Sequence, residues 1–264
     1  MILMTQTTLE HQAYDTHLNY IKCLSDLVKG VSIKYTGSLK KAGISDIDEK
    51  KNLISLTKKS LNDEYKIVQI DADYSYASTS WLPVKSYYLI FNILLTIEYI
   101  FKLQKSIFRL SHASCVEEFS RKLSSGEIEF SEPILNQVFD QAILNYTVRS
   151  GANLSSQTSQ SDMYKMAIRK IAKYKLDDWK QKNRMDLRKP AHKTKCQQYL
   201  ASFSVSVFDF PYYMRIRSNY RDFAFIDGVT TTETANYFNT FFYFTVGFVK
   251  ALEGMKKDLI TLRT

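Results

Sequence analysis

Glycine and proline are scarce, with eight Gly and four Pro in 264 residues, where average usage gives roughly 18 and 13. Sandwiches and barrels spend such residues on tight turns, so the shortage argues against them and for long helices with few connections. No GxGxxG or GxxxxGK(S/T) string occurs, which removes the common nucleotide-cradling loops, and signatures of serine hydrolases and kinases are missing too. Cysteine is rare: Cys23, Cys115 and Cys196 are far apart and odd in number, so neither a disulfide framework nor a CxxC metal site is available. The histidines, His11, His17, His112 and His192, do not cluster with them. The six-residue step from His11 to His17 misses the four-residue spacing that puts two ligands on one helix face. No metal and no other cofactor is expected. The N-terminal stretch MILMTQTTLEHQ has no basic run before an apolar core, so it does not read as a secretory signal, and a cytoplasmic protein is expected. Uncharged runs at 86–97 and 234–249 fall short of the roughly 18 apolar residues a spanning helix needs. They are expected to be core helices, with no membrane partner.

Apolar residues, by contrast, are plentiful, at 45% of the chain with 18 Tyr and 16 Phe, enough for a sizeable packed core. Periodicity predicts a first helix over 8–29 that ends at Gly30, and a charged helix over 48–62 after a polar loop. YKIVQI (65–70) alternates weakly and reads as a strand or extended piece. In STSWLPVKSYYLIFNILLTIEYIFKL, Ser80 suits a cap and Pro83 a first turn, and the remainder is apolar on nearly every face, as in the central helix of a bundle. Residues 113–123 form an amphipathic helix closed by Ser124-Ser125-Gly126, and Ser131 is expected to cap another helix running to Val148. The polar stretch 149–162 reads as a linker, 163–182 as a basic helix, 183–195 as a break at Pro190, and 197–220 as apolar again. Thr230 and Glu233 form a capping box before a long aromatic helix to about Lys256. The expected fold is an all-α bundle of about eight helices. It divides into an N-terminal bundle (1–155) and a basic C-terminal helical region (156–264), or forms one continuous domain with a hinge near 155.

Charge is concentrated. Between residues 165 and 195 twelve Lys or Arg stand against three Asp, an excess of nine that equals the formal net charge of the whole chain. Such an excess attracts polyanions, and RNA or single-stranded nucleic acid is the partner expected. The candidate contacts are Lys165, Arg169, Lys170, Lys173, Lys180, Lys182, Arg184, Lys193 and Lys195. Tyr164, Tyr174 and Trp179 are interleaved with them, Trp179 as a platform for an unpaired base. The alternatives are a solvated helix with Trp179 turned into the core, or an acidic protein partner. Arg215, Arg217 and Arg221 form a second basic group suited to phosphates, unless Asp222 and Asp227 pair with it internally.

Metal-independent RNA cleavage needs a general base and a cation beside the phosphate. Arg188 and His192, inside the basic segment, are the catalytic candidates, and Arg109 with His112 is a weaker pair. Glu64-Tyr65-Lys66 before the strand-like run is a chance-level match to the restriction-nuclease pattern, which also needs a sheet.

Three segments resemble the HEPN superfamily of small helical-bundle proteins. The run from Trp81 through Tyr87 and Tyr88 to Phe91 is similar to its second-helix pattern. His112 with Phe119, then Tyr146-Thr-Val-Arg149, is similar to the spacing of later elements. Arg217-Ser-Asn-Tyr220-Arg221-Asp222-Phe223 before a capped helix looks like the turn opening its last helix. The resemblance covers about half the chain and implies an all-α bundle acting as a ribonuclease or RNA-binding partner in toxin–antitoxin or antiviral defence systems. That superfamily's signature, Arg then His with four to six residues between them, is not met. Arg217, Arg221 and Arg149 have no such His, and the step from Arg188 to His192 is one residue short. A non-catalytic interaction subunit is therefore the alternative, a homo-oligomer or one bound to a protein partner through the rings of 237–248.

Overall fold

Between Leu82 and Ile100 only Lys85 and Glu98 carry charge. A helix so apolar must be enclosed on every side, and several of the other elements do this. The computed structural model describes residues 2–147, 158–219, 226 and 228–264. Among them are eight α-helices: α1 (Ile2–Val28), α2 (Lys51–Ile70), α3 (Tyr74–Lys102), α4 (His112–Ser124), α5 (Gln160–Lys182), α6 (Pro190–Ala201), α7 (Asp209–Asn219) and α8 (Thr231–Arg263). The all-α expectation holds. The described strands are β1 (Ile33–Tyr35) and β2 (Ile128–Phe130), an antiparallel ribbon with Ile33 opposite Phe130.

Helix α3 packs against α8, α7 and α2, while α1 lies on α8 and α5. By length and composition α3 passes for a membrane-crossing helix, yet 78% of its most apolar window is buried inside the protein. One buried cluster runs from Tyr14 on α1 to Leu259 on α8, drawing on both sides of residue 155. Of the expected linker over 149–162, residues 149–157, with the hinge near 155, lie outside the described residues, while 160–162 are the first residues of α5 rather than linker. Charge inside this core is paired, as burial requires. The Glu98 carboxylate, fully buried, meets Lys102 at 2.7 Å and Lys122 at 3.5 Å. The C-terminal end of α3 leaves carbonyls without helical partners, and Arg263 of α8 supplies them. Its Nε donates to Ile100 O at 2.9 Å and an Nη to Phe101 O at 2.6 Å.

The Thr230 box forms as the sequence predicts, with the Thr230 hydroxyl accepting from Glu233 N and the Glu233 carboxylate accepting from Thr230 N. Gly30, at φ 74°, ends α1 in the left-handed region. Other expectations are corrected. YKIVQI is the last part of α2, because Val68 continues the helical spacing of Ile54, Leu61 and Glu64 on the buried face. Glu64-Tyr65-Lys66 is therefore helical, and Glu64 is ion-paired with Lys85. Ser80 does not cap α3, which starts two turns earlier at Tyr74 and holds Pro83 in its interior. Ser131 starts no long helix. Asn136 bonds both Phe130 N and Phe130 O like a third strand, and only short 3-10 turns, Pro133–Asn136 and Gln141–Asn145, come after it. The expected break is present but shorter, over 183–189, and Pro190 opens α6. The rings of 237–248 are not left over for a partner: Tyr237, Phe238, Phe241, Phe242, Phe244 and Phe248 are buried within the chain, and Tyr243 alone is exposed.

Close contact between α1 and α8 depends on Gly247. A Cβ there would lie 2.8 Å from Val28 Cγ2 and 3.0 Å from Val28 O. Gly247→Ala should lower stability by about 1–3 kcal/mol, read as a reduced midpoint in urea denaturation.

Candidate nucleic-acid interface

Helix α5 begins at Ser159, whose hydroxyl accepts from Asp162 N. Its inner face carries Tyr164, Ala167, Ile168 and Ile171, all buried. That spacing leaves Lys165, Arg169, Lys173 and Lys180, four, four and seven residues apart, along the opposite side. At the N-terminal end the row rests on its own protein. The Lys165 ammonium sits 5.8 Å from the Tyr146 ring, and Arg169 Nε donates to Leu144 O at 3.2 Å. Lys173, Arg184, Lys193 and Lys195 are exposed, and Lys195 reaches Asn183 Oδ1 at 3.0 Å. Arg184 takes a positive φ of 49° in the turn after α5.

Part of the positive charge is taken up by pairs within the chain. Lys175 is buried, donating to Asp209 Oδ1 at 2.9 Å and to Ser204 O at 2.7 Å. Lys182 pairs with Asp178 at 2.8 Å. Trp179 stacks on Tyr199 of α6, 4.2 Å between centroids and 7° from parallel. One face of the half-exposed indole is therefore taken by the hairpin of α5 and α6.

Arg188 and His192 are brought together by Asp186, a residue that no pattern in the sequence singles out. Asp186 N donates to His192 Nδ1 at 2.9 Å, while the Asp186 carboxylate receives Arg188 Nε at 3.0 Å and Arg188 N at 3.1 Å. Nδ1 accepts, so the neutral ring carries its hydrogen on Nε2. The arginine bonds hold the Asp186 carboxyl below its usual range. The three residues close the turn into α6, with the Arg188 side chain 93% exposed.

The second basic group divides. Arg217 lies 4.2 Å over Tyr174, which also has Lys170 at 5.3 Å, so α7 and α5 meet on one ring. Its guanidinium reaches Asp177 at 3.7 Å. Arg215 covers Tyr87 and Tyr88 at 5.3 and 5.1 Å and donates to the Tyr88 hydroxyl at 3.2 Å. Arg221 lies outside the described residues. His112, the first residue of α4, is hydrogen-bonded through Nδ1 to the Tyr87 hydroxyl at 2.7 Å and lies 4.3 Å from the Phe91 ring. Its neighbour is thus Arg215 rather than the expected Arg109, and the Tyr87-Tyr88 pair, visible in the sequence only as a helix pattern, holds both. A histidine and an arginine set on two tyrosines can bind an anion and exchange a proton. Among the described residues no group of three His, Cys, Asp or Glu is placed to hold a metal.

No family model, no curated protein and no solved structure matches this chain.

Burial, aided by Arg215, holds His112 below the ordinary histidine range. The unfolded chain takes up that proton near pH 6.5, so the stability gained from a neutral His112 is complete above that pH and declines as pH falls toward the folded value. His17 adds to the same loss, since burial pushes it down to about 3. Stability measured from pH 7.5 to 5 should fall less steeply in His112→Gln than in the parent.

Proposed function

We propose that the protein binds RNA, or single-stranded nucleic acid, along the outward row of α5 and the first turns of α6. The observation that carries this reading is the row itself: Lys165, Arg169, Lys173 and Lys180 share one side of a single helix, and Arg184 and Lys193 continue past its end. A phosphate backbone presents negative charge at regular intervals, and a helix edged with cations meets several phosphates at once. Lys175, buried on Asp209, and the surface pairs of Lys182 and Arg188 leave the other cations in excess, because the only acidic residues between 165 and 195 are Asp177, Asp178 and Asp186. The half-exposed edge of Trp179 lies within this surface. A setting in bacterial defence or a toxin–antitoxin system belongs to the same proposal and rests on the HEPN-like segments.

Binding to single-stranded RNA should weaken linearly on a log–log plot against salt. Changing Lys173, Lys180, Arg184 and Lys193 to Ala should reduce that slope by about 0.7 per lost phosphate contact. These side chains are at the surface, so circular dichroism should report an unchanged fold. Affinity that is flat in salt, or the same in the quadruple variant, overturns the reading.

Cleavage is the second reading, and Asp186 is the observation behind it. It joins Arg188 and His192 in one hydrogen-bonded unit and leaves the imidazole hydrogen on Nε2, where it can be donated to a leaving oxygen. RNA incubated in EDTA should then be cut by the parent, and His192→Ala should slow the cut by about 10²–10⁴. RNA left whole by the parent removes cleavage and leaves binding in place.

A further inference from the structure

The buried cations of this chain each have an acceptor. Lys122 and Lys175 lie on carboxylates, and Arg263 donates to the carbonyls of Lys40, Ile100 and Phe101. Arg215, half-buried on α7, is provided for differently. Its guanidinium lies over the rings of Tyr87 and Tyr88 and donates to the Tyr88 hydroxyl at 3.2 Å. Its Nε is enclosed without an acceptor, the only buried side-chain nitrogen so placed among the described residues. None of the ion pairs among those residues includes it. A charged donor drawn out of water with hydrogens unmet is costly, and an anion from outside the chain would remove that cost.

The half-buried His112 imidazole lies beside it. The Tyr87 hydroxyl takes Nδ1 at 2.7 Å, and among the described residues nothing bonds Nε2. Tyr88 adjoins both groups, its ring 5.7 Å from that of His112 and its hydroxyl accepting from Arg215. A hydroxyl that accepts keeps its own hydrogen to donate. Guanidinium, imidazole and phenol thus stand side by side as donors, each on a side chain that water can reach.

The neighbouring groups add no free negative charge. Burial pushes the Tyr87 phenol and the Cys115 thiol up, so both stay neutral. Glu98 and Glu118, near Cys115, are held by Lys102 and Lys122. From α5, Lys182 lies beside the Tyr212 hydroxyl and neutralises Asp178. Burial first, and then Arg215, keep His112 below the ordinary histidine range. An arriving anion reverses that balance: it favours the imidazolium, which donates from Nε2 to the anion and from Nδ1 to Tyr87.

The donor set selects the anion. A carboxylate is planar, and one guanidinium edge satisfies it. Three donors on three side chains suit a tetrahedral group with an oxygen for each. We propose that Arg215, His112 and Tyr88 form a binding site for a phosphate group, carried by a small molecule or by a nucleic-acid strand. The site stands apart from the α5 row and does not rest on the reading of that row.

Inorganic phosphate, and then adenosine monophosphate, can be titrated into the full chain carrying isotope-labelled histidine. The His112 imidazole resonance, identified by its loss in His112→Gln, should move saturably, and its titration midpoint should rise. Chloride at equal ionic strength should leave it in place. Arg215→Gln should weaken binding about tenfold or more, and Tyr88→Phe, which removes only the hydroxyl, by a smaller factor. An unmoved His17 resonance is the folding control for both variants. Competition separates the two sources of phosphate. Displacement of adenosine monophosphate by a single-stranded RNA assigns the site to a strand, and displacement only by a terminally phosphorylated one assigns it to a strand end. Displacement by neither assigns it to a free phosphate-bearing molecule. A His112 resonance indifferent to millimolar phosphate, a movement equalled by chloride, or an affinity unchanged in Arg215→Gln overturns the proposal.

Discussion

The need to keep α3 out of water sets the places of the helices packed on it, α8, α7, α2 and α4. A helix with apolar residues all round cannot lie on a surface, and α8, long and aromatic, is its principal cover. The rings of Phe241, Phe244 and Phe248 pack inward, and the two helices are locked by polar bonds that only burial makes strong. The Thr245 hydroxyl donates to Ser86 Oγ at 2.8 Å, and Arg263 closes the carbonyls at the far end. Helices α2 and α7 complete the enclosure, with α4 touching α3 as well.

With the apolar residues committed to that task, charge falls to the periphery, but unevenly. Helix α5 lies at the edge of the bundle, touching α1 and α7, so one side of it needs apolar residues and the other is free to collect lysine and arginine. The carboxylates near this segment are used for construction: Asp209 neutralises Lys175 in the interior, Asp178 meets Lys182, and Asp186 holds the turn. Aromatic faces take the next share, since Arg215, Arg217, Lys165 and Lys170 each sit over a tyrosine. Tyrosine in this chain thus serves as a support for cations as much as a core residue.

Helix class and the main helices are legible in the sequence because they depend on local chemistry. The Thr230–Glu233 box, the left-handed Gly30 and the uninterrupted apolar run of α3 are signals carried by neighbouring residues. The failures lie where a distant partner decides. YKIVQI is short and apolar enough for a strand, and only the core behind Val68 makes it helical. Residues 131–148 have the composition of a helix, yet Asn136 bonds to Phe130, and Phe139 bridges to Val205, sixty-six residues away in sequence. The site behaves in the same way. Charge density shows in composition, so the basic segment is visible without coordinates. That His112 answers to Arg215, or that Asp186 joins Arg188 to His192, depends on how chain segments meet, and no spacing announces it.

The separation of α3 from its cover in the sequence also sets a problem of timing. About 130 residues lie between the end of α3 and the start of α8. At a synthesis rate of roughly 5–20 residues per second, α3 leaves the ribosome on the order of ten seconds before the helix that encloses it. For that interval the nascent chain displays a helix that, by length and apolarity, matches a membrane span. The finished protein hides this segment, but while it is being made it is a substrate for whatever in the cell attends to exposed hydrophobic helices.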